Sequence, residues 1–106
     1  MNIPTLPDPM VGAACSLGTE DRRKRLAAWR AVRDDALAIE TVDDAIRLRL
    51  PSDYPIAEVA RLIGLESECC PFYRFTISVD GAVRTLAVDA GPGRLPAVSA
   101  LLGLPG

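Results

Sequence analysis

Three cysteines and no histidine set the chemistry open to this chain of 106 residues. Two cysteines are adjacent, in the run Glu66-Ser67-Glu68-Cys69-Cys70-Pro71-Phe72, and the third is Cys15. Without an imidazole there is no base for a Cys-His or Ser-His nucleophile, and any metal site must be built from thiolate, carboxylate or backbone oxygen. A vicinal thiol pair suits a soft ion such as mercury, copper(I), zinc or trivalent arsenic, which holds sulfur deprotonated. Adjacent cysteines are poor disulfide partners, because the bridge needs alpha carbons farther apart than neighbouring residues allow without strain. A redox pair is expected instead to join Cys15 to one of them, and Cys15 is also the natural third metal ligand.

The segment before the pair reads as a helix, which decides where each side chain points. At 100° per residue from Val59, Leu62 falls at about 300°, Glu66 at about 340° and Cys70 at about 20°, with Cys69 on the flank at about 280°. Glu66 therefore points into the apolar stripe, one turn from Cys70, whereas Glu68 at about 180° faces solvent. A carboxylate so placed needs a partner, and Arg47, Arg49 or Arg74 would serve. The C-terminal end of a helix carries partial negative charge, so it opposes a free thiolate, and a bound cation would relieve that opposition. Pro71 stops the helix and lets both sulfurs turn toward one ion. The plainer reading is that Cys69 and Cys70 are small apolar plugs beneath Phe72 and Phe75.

The elements that must hold this corner follow from patterning. Residues 1–18 hold prolines and glycines with few periodic apolar positions and read as an irregular N-terminal arm, leaving residues 19–106 as a single domain. Thr19 as cap, Glu20 and Asp21 in the first turn, and Leu26, Trp29, Val32 and Ala36 at helical spacing predict a first helix over 19–38, anchored by Trp29. Ala45-Ile46-Arg47-Leu48-Arg49-Leu50 alternates as a strand with one buried face does. A second helix is expected over 55–69, a second strand after Pro71, a hairpin turn at Asp80-Gly81, a third strand over 82–90 and a short closing helix after Gly91-Pro92-Gly93. The fold class is therefore α+β, a small sandwich of order α-β-α-β-β-α with a three-stranded sheet and helices on one face.

Composition narrows the partners. The chain is 49% hydrophobic with a net charge of −2, which fits one core and lacks the basic excess that nucleic acid or an anionic membrane surface demands. The run Arg22-Arg23-Lys24-Arg25 is read as a solvated helix face offset by Glu20, Asp21, Asp34 and Asp35. The first residues show neither a basic start nor an apolar run of signal-peptide length, and no membrane-spanning apolar stretch occurs, so a cytoplasmic protein with reduced thiols is expected.

Taken together, Cys15-Ser16-Leu17, the arginine-rich helix with Trp29-Arg30, the short basic-apolar strand and Glu66-x-x-Cys69-Cys70-Pro71-Phe72 leading into an aromatic strand resemble small bacterial proteins, some of which lie beside heavy-metal resistance genes. The resemblance covers most of residues 15–102, and its specific part is the Glu-x-x-Cys-Cys-Pro-Phe segment. It implies that Cys15, Cys69, Cys70 and Glu66 form the site, with mercury or a related thiophilic metal as ligand. Alkylmercury lyases offer a chemical analogy, since they cleave a carbon-mercury bond with two cysteines and an acid.

The expected function is a thiolate-based binding protein for a soft metal or metalloid, acting in resistance or sensing rather than in turnover. One alternative is a thiol enzyme, redox or organometal-cleaving, with Glu66 as proton donor. The other is an interaction module, dimeric through a sheet edge, in which the cysteines are core.

Overall fold

The computed structural model describes residues 18–105, in which four strands and three helices follow the order α1 (Thr19–Asp35), β1 (Ala38–Val42), β2 (Ala45–Leu50), α2 (Ile56–Cys69), β3 (Arg74–Asp80), β4 (Val83–Asp89) and α3 (Leu95–Leu102). The predicted arm, residues 1–18, lies outside the described residues but for Gly18. The α+β class stands, but the sheet has four strands, antiparallel throughout, in the order β1-β2-β4-β3. The extra strand is β1, part of which the periodicity had assigned to the first helix. That helix ends at Asp35, where Ala36 turns extended with ψ 140°, and Asp34 and Asp35 place negative charge at the negative end of the helix dipole. β1 then pairs with β2 through a two-residue turn at Asp43-Asp44, with Val42 opposite Ala45.

Alternation puts Ile46, Leu48 and Leu50 of β2 in the core while Arg47 and Arg49 face outward. Leu86 and Val88 of β4 continue the same buried layer across the register. The three helices cover this face, and Trp29, Val59, Val98 and Leu102 meet the strand residues in one cluster. Trp29 is fully buried and stacks on Phe75 of β3, ring centroids 5.1 Å apart and planes within 7°. The β3–β4 turn is Gly81-Ala82 rather than Asp80-Gly81, because Asp80 pairs with Val83; only the first turn residue needs positive φ, and Gly81 supplies it at +60°. No described helix is long and apolar enough to cross a membrane.

Helices α1 and α3 are tied at one end. Arg33 of α1 donates from Nη1 to the carbonyls of Leu102 (3.0 Å) and Gly103 (2.7 Å), satisfying acceptors that the end of α3 leaves open. Gly103 takes φ +68°, and a Cβ there would collide with Arg30 and Arg33. Arg33→Met, which keeps the stem and removes both donors, is expected to lower unfolding free energy by about 2 kcal/mol in urea titration.

Candidate thiol site

The site is built where the end of α2 meets α1. Along α2 the buried residues are Val59, Leu62, Glu66 and Cys69, so the stripe drawn from helical spacing is observed with its carboxylate in place. Cys70 caps the helix: its N–H still donates to the Glu66 carbonyl (2.6 Å), while its φ of −130° and ψ of 82° take the chain out of the helix. Pro71 accounts for this, because the residue before proline is driven from the helical region.

Glu66 is 4% exposed and its Oε1 accepts from Trp29 Nε1 at 2.9 Å and from Arg25 Nη1 at 3.5 Å. The partners expected for it, Arg47, Arg49 and Arg74, are instead exposed on strands β2 and β3, and Arg47 pairs with Glu40. Glu66 lies on the helix side of the sheet, so its cation comes from α1. The charge run is accordingly split rather than wholly solvated. Arg23 points out to Glu20, whereas Arg22 and Arg25 turn toward the thiol corner. Their spacing with Leu26 and Trp29, at i, i+3, i+4 and i+7, is the signal that a charge count conceals.

Cys70 is a free thiol, 4% exposed, beside the Glu66 side chain. It lies on the wall of a cavity of about 210 Å³ shared with Glu66, Arg22, Arg30, Phe72 and Tyr73. Burial, then the charge and hydrogen bond of Glu66, push the thiol up from 9.0 to about 11, against a smaller opposing pull from Arg22 and Arg25. Tyr73 closes the wall, with its hydroxyl donating to the Ala97 carbonyl at 3.1 Å. Burial, then Glu66 and Cys70, push that phenol up to about 12. The ring of Phe72 packs on Tyr73 at 4.6 Å.

Cys69 departs from its neighbour. It is buried beside Phe72 and Tyr73, is not among the residues lining this cavity, and is disulfide-bonded. The expectation of reduced thiols throughout thus fails at Cys69, while the exclusion of a Cys69–Cys70 bridge holds, since Cys70 is free. Cys15 lies outside the described residues. Of the residues expected to form the site, the structure brings Cys70 and Glu66 together on the cavity lining, while Cys69 shares the buried cluster of Cys70, Phe72 and Tyr73 without lining the cavity. Among the described residues no three of Cys, Asp, Glu and His converge as a metal cluster. What remains is a protonated thiol on a carboxylate, facing a small cavity with guanidinium groups at its rim. Such a thiol is a weak nucleophile toward ordinary electrophiles, and an ion that binds sulfur strongly would displace its proton to a neighbouring base.

Two consequences follow for Cys70. Because its folded pKa is raised, the folded state favours the protonated thiol; the associated stability is complete below about pH 9 and is lost as pH rises through about 11. Iodoacetamide labelling of Cys70 should accelerate with a midpoint near pH 11 in the folded protein, and Glu66→Gln should move that midpoint down by removing the adjacent charge.

No family model, curated protein or solved structure matches the chain, so the functional reading rests on the residues and geometry of this corner.

Proposed function

We propose that the protein captures a soft metal or metalloid ion, with mercury, copper(I), zinc and arsenic as candidates, on the sulfur of Cys70, with Cys69 and Cys15 as further thiolates in the reduced chain. The observation that carries this reading is the Cys70 thiol beside the buried Glu66 carboxylate on the wall of a cavity of about 210 Å³. A thiol held protonated is protected from oxidation and alkylation, and a thiophilic ion displaces its proton because the metal-sulfur bond outweighs the raised pKa. Glu66, the carboxylate beside the thiol, is the acceptor for that proton. A reducing compartment such as the cytoplasm would keep Cys69 available as the second ligand. Titration of the fully reduced protein with mercury(II), zinc, copper(I) and arsenite, followed by sulfur-to-metal absorption and native mass spectrometry, tests the reading. A one-to-one complex that disappears in Cys70→Ser and weakens in Cys69→Ser is expected; affinity no better than that of a free thiol for every ion overturns it.

A second reading is favoured by the disulfide at Cys69. Pairing of Cys15 with Cys69, the redox pair of the kind expected from the sequence, would make the corner a redox switch that withdraws one ligand on oxidation. Peptide mapping without reductant should recover a Cys15–Cys69 linkage, and the oxidised protein should bind the ion more weakly than the reduced one. Equal affinity of both forms would remove the switch.

A further inference from the structure

The rim of the Cys70 cavity carries charge that a site for a bare cation has no use for. Arg22 and Arg30 both line it from α1, and among the described residues neither has a carboxylate within salt-bridge distance. Arg25 stands behind Glu66, already engaged with it. Two guanidinium groups on the lining and a third on Glu66 thus stand against one carboxylate, and a free metal cation would meet a positive field at the mouth. Arginine is the side chain best suited to hold a carboxylate, through paired N–H donors. The volume of about 210 Å³ is smaller than a drug-sized pocket and fits one arm of a small ligand. Phe72 and Tyr73 give that arm an apolar wall beside the sulfur.

We infer that the ion reaches Cys70 already coordinated by small thiols bearing carboxylates, of the cysteine or glutathione class, and that Arg22 and Arg30 receive those carboxylates. The inference rests on the metal-capture reading above. Transfer is then an exchange of sulfur ligands without oxidation or reduction. The Cys70 sulfur bonds to the metal, one metal-sulfur bond to the small thiolate breaks, and the Cys70 proton passes by way of Glu66 to the departing sulfur, which leaves as a neutral thiol. Each step keeps charge and electrons balanced, and the metal never enters the cavity as a bare cation.

The test is stopped-flow transfer of mercury(II) to the full-length reduced protein from three complexes: bis-cysteine, bis-cysteamine, which lacks the carboxylate, and bis-2-mercaptoethanol, which is uncharged. Each rate is divided by that for transfer to a small uncharged thiol, which removes differences intrinsic to the donors. The cysteine complex should be roughly tenfold faster than the cysteamine complex, and the ratio should fall toward unity in Arg22→Gln/Arg30→Gln. The two single variants, each with an intermediate ratio, serve if the double variant does not fold. Equal normalised rates from all three donors, or a preference that survives in the arginine variants, would overturn the inference while leaving metal capture intact. Transfer from none of them would overturn both.

Discussion

The thiol corner depends on one buried interaction, the Glu66 carboxylate held by Trp29 and Arg25 beneath the Cys70 sulfur. A carboxylate at 4% exposure is tolerable only with donors, and α1 provides two of them. The Trp29 ring that donates one also stacks on Phe75 and lies in the central core. The position of the carboxylate is thereby fixed by the same packing that joins α1 to the sheet. Burial first, and then the charge of this carboxylate, raise the pKa of the adjacent thiol, so packing of the core reinforces the protonated state of Cys70.

The end of α2 supplies the second constraint. A helix C-terminus disfavours negative charge, and Cys70 stands there with a carboxylate as its neighbour. Both effects act against a resting thiolate. Arg22 and Arg25 oppose them only in part, which distinguishes this corner from the electropositive helix N-termini that activate nucleophilic cysteines. Arg22, which fails to activate the thiol, lines the cavity together with Arg30, and these two are the proposed receivers of an anionic ligand complex.

What the sequence made legible followed from burial on one side. β2 and β4 alternate because one face packs beneath the helices, and the 100° rotation along α2 placed Glu66 inward and Glu68 outward as observed. β1 escaped because it is an edge strand whose residues are nearly all exposed, leaving no alternation to detect. The partners of Glu66 escaped for another reason: Trp29 and Arg25 are 37 and 41 residues away, and pairing over that distance is decided by how α1 lies on α2. Arg22 and Arg25 were hidden inside a basic run whose net effect looked like a solvated surface. Cys69 and Cys70 share one buried cluster, and that only Cys70 lines the cavity goes with the backbone leaving the helix at that residue.

The most direct test of the central claim, that the Cys70 sulfur is where a soft ion is held, is X-ray absorption at the mercury edge on the reduced protein loaded one to one. A coordination shell made of sulfur, which loses a sulfur when Cys70 is replaced by serine, is the predicted result. A shell of oxygen and nitrogen, or a sulfur shell identical in the Cys70→Ser protein, would contradict it.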